Sequence, residues 1–473
     1  MIGLLLIIPA AFVLFAKLPP TRAALFLLIG AILFAPELVS IELPFLSPIG
    51  KNALASLCAF IGLVATSNGR IRRAKLFGRA DALIPVMLLS GAAATLTNLD
   101  TLTYGPTVLA GFGVHNIIRP IASDFLGWVF PYWIGRICVQ TEDDVRELVK
   151  VFVTLGAAYL PLILVELRFS PQMHAWVFGY AQHDFSQTVR AGGYRPMVFM
   201  EHGLALAIFL FILASLTLAA RRQRLSILGF SLRSWAIIFS VVIVAAKSTG
   251  ALIFLVLVLL LTLLLRERAI LRISAVIAAL VIVYPISRAE KWFPVQQTLE
   301  MFGGRSSERS RSLEFRFINE DMLLEKAMLR PWFGWGGNAR ARVFDESGRD
   351  ISVTDGAWII ILGNGGVLGF LCRFGFLSLP IWRATRRANN TSKMTGGIVG
   401  GFAVMLALAE ADLIPNGMFN VLPVLLAGAL MGIVDAAPHG GGGRRLIAAL
   451  RAVAISRYRG ANTHVTGRQV VSR

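Results

Sequence analysis

A few charged side chains stand where the apolar pattern of this chain breaks, and each could act on a charged, membrane-borne substrate. Arg316 lies in a stretch from Ser312 to Leu329 that reads as an amphipathic helix. Leu313, Phe317, Leu324 and Met328 would line one side of it, with Arg316, Glu320 and Asp321 elsewhere. Asp355 belongs to Thr354-Asp355-Gly356-Ala357-Trp358, where the chain turns apolar again. A carboxylate there could take the proton of an acceptor hydroxyl as a general base; taken alone, a cap on the helix that follows is the more ordinary role. Lys247 heads Lys247-Ser248-Thr249-Gly250, which interrupts an unbroken apolar stretch. A cation at bilayer depth costs roughly 2.5–3.5 kcal/mol at the centre and less at the edge. Lys247 therefore either snorkels to the interface or holds a lipid phosphate. Arg195 and His202 fall in Tyr194-Arg195-Pro196-Met197-Val198-Phe199-Met200-Glu201-His202, which opens another apolar run. His202 could be a satisfied structural residue or a substrate contact. Glu410 and Asp412 end a further run. Acids in such places call for a cationic partner, and Arg316 or Lys247 could serve.

The elements that must position these residues are membrane spans. Hydrophobic residues make up 56% of the 473, against about 45–50% in an average soluble chain. They cluster in runs such as Ala251 to Leu265, approaching the roughly 17–25 residues a spanning helix needs. A transmembrane β-barrel would show short alternating segments instead. The expected fold is therefore all-α: a polytopic membrane protein of about 12–14 spanning helices with one large, partly helical outer loop. The spans are expected near 2–16, 23–39, 52–68, 82–98, 120–138, 148–167, 197–219, 234–248, 250–265, 270–287, 355–379, 395–413 and 417–435. The spanning domain would thus cover 1–435, with the loop 288–353 inserted in it. In that loop arginines and carboxylates alternate nearly one for one.

Short connections elsewhere are rich in arginine: Arg70-Ile71-Arg72-Arg73-Ala74-Lys75, Arg221-Arg222-Gln223-Arg224, Arg266-Glu267-Arg268 and Arg383-Ala384-Thr385-Arg386-Arg387. Basic short loops stay in the cytoplasm, whereas a long domain can cross regardless of its charge. With Lys17 to Arg22 inside, a single parity places all four loops and the C-terminal tail inside. The same parity puts 36–51, 99–119, 168–195, 288–353 and 412–417 outside. Arg195, Lys247, Arg316, Asp355 and Glu410 then share the outer face.

Positive-inside anchoring also accounts for the net charge of +19. No recognition-helix or zinc-finger spacing accompanies it, so nucleic acid is not an expected partner. The tail 436–473 is basic, and Leu446, Ile447, Leu450 and Val453 would form one face of an interfacial helix after Gly440 to Gly443. Cys58, Cys138 and Cys372 fall in expected spans and imply no disulfide framework. Met1 to Ala16 lacks a basic start and reads as the first span rather than a leader. No P-loop, HExxH or cysteine metal site is present, and neither cofactor nor metal is expected.

At these residues the chain resembles the O-antigen ligase and polymerase family of bacterial surface-polysaccharide enzymes. The resemblance covers roughly Tyr194 to Asp435. Ligases of that family carry a His, one polar residue, nine further residues and a Gly-x-x-Gly. Here the same spacing reads Asp355, Gly356, nine residues and Gly366-Val367-Leu368-Gly369. The family's Arg ahead of a Pro-x-x-Gly-x-Gly turn corresponds to Arg316 and Pro331-Trp332-Phe333-Gly334-Trp335-Gly336. Its Ser-Arg-Gly-Ala is similar to Ser248-Thr249-Gly250-Ala251, where Lys247 stands in for the missing Arg. Arg195 matches an Arg common at the start of its span.

The resemblance implies metal-independent transfer of a glycan from an undecaprenyl-diphosphate-linked donor to an acceptor hydroxyl, at the periplasmic face of a bacterial inner membrane. Asp355 and Arg316 would be catalytic, and Arg195, Lys247, Arg316, His202 and Glu410 would hold diphosphate or glycan. The substituted His favours a polymerase of lipid-linked repeat units, making surface or exopolysaccharide. A ligase acting on lipid A–core is the second expectation. From another class, the chain could be a lipid-linked oligosaccharide flippase or transporter, although no paired broken repeats are visible. A chain-length regulator and a flippase would be its natural partners.

Overall fold

The computed structural model describes residues 1–44, 46–190, 192–223, 225–301, 308–337, 339–388 and 398–437. It is all-α. Helix accounts for 70% of it, and the strands among the described residues are three two-stranded ribbons. Helices are what the composition demands, since in lipid every backbone N–H and C=O must be satisfied within the segment.

In chain order the helices begin with α1 (Ile2–Leu5), α2 (Ile7–Lys17), α3 (Pro20–Phe34), α4 (Lys51–Thr66), α5 (Asn68–Ala74) and α6 (Leu83–Leu96). Then come α7 (Ile118–Asp124), a π-turn, α8 (Phe130–Cys138), α9 (Glu142–Phe169), α10 (Met173–Phe178) and α11 (Gly203–Ala219). The second half holds α12 (Leu232–Ala245), α13 (Thr249–Leu264), α14 (Glu267–Ala289), α15 (Val295–Met301) and α16 (Glu308–Met328). It ends with α17 (Ala357–Arg386), α18 (Ile398–Asp412) and α19 (Leu422–Ala436). Among the described residues α9, α14 and α17 are each long and apolar enough to cross a membrane, as is the bent pair α4 and α5 taken together. Shorter apolar helices occupy other expected spans, so the chain is a polytopic, all-α membrane protein. The expected interfacial helix of the tail lies outside the described residues.

Two groups can be told apart among the polar contacts between distant segments. One joins the basic loops: Arg22 to Glu147 at 2.6 Å, Arg70 to Asp144 at 2.6 Å, and Arg136 to Asp81 at 2.5 Å and Asp435 at 2.9 Å. The other joins the remaining connections. The Glu37 N–H donates to His174 Nε2 at 3.1 Å, Lys51 donates to the Phe199 carbonyl at 2.8 Å, and Arg330 meets Asp100 at 2.7 Å.

The span expected at 197–219 starts six residues later, because 197–202 is irregular backbone buried in protein. Its polar groups are met by side chains. The Glu166 carboxylate accepts from Met197 at 2.8 Å and Val198 at 2.7 Å, and the Tyr159 hydroxyl accepts from Phe199 at 2.9 Å. Gln182 donates to the carbonyls of Val198 and Met200. Non-helical backbone at such depth is tolerated only with this kind of internal satisfaction.

Beyond α16 the chain docks on the segment after α6. Arg330 donates to the Thr97 carbonyl and Asn98 Oδ1, both at 2.6 Å, and Arg340 reaches Asp100 at 3.2 Å and the Ala110 carbonyl at 3.1 Å. Trp335 lies under two cations, with Lys326 Nζ 3.9 Å and the Arg330 guanidinium 4.3 Å from its ring centre. Asp100 joins both arginines, and hydrogen bonds to charged groups are worth about 1.5–3 kcal/mol net. Asp100→Ala should therefore make trypsin cut at Arg340 and Arg342 several-fold faster; an unchanged digestion rate would show that the apolar packing holds this segment alone.

Candidate functional site

The site is built where α16, α17 and the loop between α18 and α19 meet. α16 is amphipathic, as its sequence predicts, but the buried stripe differs from the expected one. Phe317, Glu320, Leu323, Leu324 and Ala327 are buried, while Met328 is exposed. Glu320, expected on the polar side, follows Phe317 by three residues and precedes Leu324 by four, the spacing that keeps side chains on one helix face. Any helix that buries those two must bury Glu320. That signal was available in the sequence.

From α16 the Arg316 guanidinium reaches two places. Its Nε is 3.5 Å from Asp355 Oδ2, and an Nη donates to the Pro415 carbonyl at 3.4 Å. Asp412, at the end of α18, lies within its electrostatic reach. The α18–α19 loop is fixed in turn to the start of α17: the Ala357 N–H donates to the Asn416 carbonyl at 3.1 Å and the Trp358 N–H to that of Leu413 at 3.3 Å. Asp355 does not cap α17. The N-cap is Gly356, which has no side chain to offer, and the Asp355 carboxylate faces Arg316.

The two glycine motifs form one backbone mesh. α17 breaks at Gly366, whose φ of 64° and ψ of −170° only glycine adopts readily. The turn from Pro331 to Gly337 fits into the break. Val367 N–H donates to the Pro331 carbonyl at 2.7 Å and Leu368 to Trp332 at 3.3 Å, while Trp335 donates to Gly363 at 2.8 Å and Gly336 to Asn364 at 2.9 Å. The helix's unpaired backbone groups are thus matched by those of the turn. Because Pro331 directly follows the α16 region, the mesh fixes the height of Arg316 along α17. Below the break, Arg373 donates to the Gly369 carbonyl at 3.4 Å and pairs with the buried Asp124 at 2.6 Å.

Arg195, Lys247 and His202 gather around the start of α11. Arg195 is buried, its Nη donates to the Lys247 carbonyl at 3.4 Å, and its stem lies against Gly203. Lys247 makes the left-handed hinge between α12 and α13, at φ 54°, and its ammonium lies over Gly193. His202 Nδ1 accepts from the Leu204 N–H at 3.0 Å as the cap of α11, and its ring packs on His183. Glu410 stands apart from Arg316. It is fully buried in α18, and its carboxylate accepts the Ser378 hydroxyl at 2.6 Å.

Beside Arg316 is a group the sequence reading passed over. Arg288, at the end of α14, is buried, with Nε 3.3 Å from Glu320 and an Nη 2.6 Å from Asp321. Burial raises the Glu320 carboxyl above its usual range, against the pull of Arg288.

Most ion pairs here are short. Arg136–Asp81, Arg288–Asp321 and Arg373–Asp124 close to 2.5–2.6 Å. Arg316–Asp355 is longer, at 3.5 Å, and both side chains are about one-third exposed, 34% and 31%. A loose, wetted pair can exchange partners, so its guanidinium can accept a phosphate and its carboxylate a proton.

Residues 234–374 match the family model described as O-Antigen ligase, and no curated protein matches the chain. The matched stretch holds Lys247, Arg316, Asp355 and the meshed glycine motifs but ends before Glu410 and begins after Arg195 and His202. Over it the chain is similar to the O-antigen ligase/polymerase-like family, which supports a membrane polysaccharide ligase- or polymerase-type function.

Proposed function

We propose that this chain is a polymerase of lipid-linked glycans. It joins oligosaccharide repeat units carried on undecaprenyl diphosphate, at the periplasmic face of the inner membrane. In this reading the loop 288–353 is periplasmic and the tail 436–473 cytoplasmic. The observation that carries it is the loose, one-third-exposed pair of Arg316 and Asp355 where α16, α17 and the α18–α19 loop meet. Asp355 takes the proton of the acceptor hydroxyl, whose oxygen forms the new bond to the donor's anomeric carbon. The bond from that carbon to the diphosphate breaks, and the electron pair leaves with the diphosphate. Arg316 meets the charge that develops there, as a guanidinium fork matches phosphate oxygens. Arg195 and Lys247 supply further positive charge toward the lipid phosphate, and His202 supports the glycan side, while Glu410 is buried against Ser378 and takes no part.

The test is elongation by the purified chain in phospholipid bilayers, given a polyprenyl-diphosphate-linked oligosaccharide. Longer lipid-linked products are expected; movement of substrate without bond formation would make the chain a flippase. Asp355→Asn should lower turnover about 10²–10⁴-fold, the range of a general base, and near-normal turnover would remove Asp355 from the chemistry. A ligase is the second reading, favoured by the family description and by the retained Gly-x-x-Gly spacing. Deleting a ligase leaves long chains on the lipid diphosphate, whereas deleting a polymerase leaves single units on the final acceptor.

A further inference from the structure

The geometry points to Glu320 as the positioning residue that sets Arg316 against Asp355, by tying α14, α16 and α17 together at one point. The inference rests on the glycosyl-transfer reading of this site. Glu320 lies four residues after Arg316, one turn along α16, so the two share a side of the helix. Its Oε2 accepts the Tyr284 hydroxyl at 3.0 Å and lies 3.3 Å from Arg288 Nε, both from α14. Its Oε1 accepts the indole N–H of Trp358 at 3.3 Å. Trp358 is fully buried in the first turn of α17, three residues after Asp355.

Each half of the reacting pair is therefore held by its neighbour. Trp358 fixes the segment that carries Asp355, Glu320 fixes the helix that carries Arg316, and their hydrogen bond joins the two. Tyr284 packs edge-on against Trp358 with ring centres 5.1 Å apart, and the Arg288 guanidinium covers Phe317 at 4.9 Å. Those contacts leave the junction little freedom to slide. Both Glu320 oxygens are engaged and the residue is buried, so it acts through Arg316 and Asp355 rather than on substrate. A shift of about 1 Å in a reacting group can cost on the order of 10²-fold in rate.

The experiment measures kcat and donor KM for elongation by the full chain in bilayers, for Glu320→Leu, Trp358→Phe and the double variant. Trp358→Phe keeps a buried aromatic ring and removes the N–H with the rest of the pyrrole ring; Glu320→Leu removes both acceptor oxygens at similar bulk, and unchanged protease resistance reports that each variant has folded. Each single variant is expected to lower kcat about 10-fold or more, with KM within about 3-fold, since the loss falls on transition-state positioning. The double variant should be no worse than the weaker single, because both remove one link. Wild-type kcat in Glu320→Leu, or losses that multiply in the double variant, would overturn the role while leaving the transfer reading intact. A wild-type chain that forms no glycosidic bond would remove both.

Discussion

Arg316→Ala is expected to reduce glycan transfer by about 10²–10³-fold, the loss typical of removing one oriented charge donor from a transition state. The side chain is a third exposed and its pair with Asp355 is loose, so the protein's fold does not depend on it. Surface ion pairs contribute about 0–1 kcal/mol. Insertion into the membrane and resistance to protease should therefore be unchanged. Arg316→Lys separates charge from shape: it keeps the positive charge but loses the planar fork, and should recover only part of the rate. If Arg316→Ala elongates at the normal rate, the guanidinium does not meet the diphosphate, and the mechanism proposed for this junction fails. Loss of insertion together with activity would also count against it, because Arg316 would then be structural.

Much of this site can be read in the sequence, and what cannot has a physical reason. Arginine in the short loops marks Arg22 and Arg70 as members of one set of segments, and in the structure the two pair with Glu147 and Asp144 near the start of α9. The spacing from Asp355 to Gly366 and the turn at Pro331 mark two segments as special. It does not say that they bind one another, because backbone-to-backbone hydrogen bonds leave no trace in side-chain identity. Likewise 197–202 is apolar enough to read as helix. Its unwinding depends on Glu166, Tyr159 and Gln182, which are distant in sequence and satisfy its backbone. Glu320 was legible by helical spacing, but a charged residue on an outer loop is ordinarily assigned to water. Glu410, read as a possible partner of Arg316, is instead turned to Ser378, since both lie on helices packed within the bundle.

Gly366→Ala should have an effect as large as that of Arg316→Ala, by a different route. At φ 64° and ψ −170° any side chain is strained, at about 1–3 kcal/mol. The added Cβ would also fall 2.4 Å from the Trp332 carbonyl carbon and oxygen and 2.6 Å from Phe333 N. Those are backbone atoms and cannot rotate away. The turn must lift off or α17 must straighten, and either breaks the bonds from Val367 to Pro331 and from Trp335 to Gly363. Each is worth about 0.5–1.5 kcal/mol net, so the strain and the backbone clash together outweigh the two bonds that give way. Arg316 then loses its register against Asp355, because α16 leads directly into that turn. Transfer should fall by about 10²-fold or more, and trypsin should cut within 330–349 where the wild-type chain resists. Gly30→Ala in α3, where an added Cβ meets nothing within 4 Å, should change neither. The two failures differ in kind: Arg316→Ala leaves a protease-resistant, inactive protein, and Gly366→Ala an inactive one with an accessible 330–349 segment. A Gly366→Ala chain that resists trypsin and elongates normally would mean that the break in α17 does not position the site.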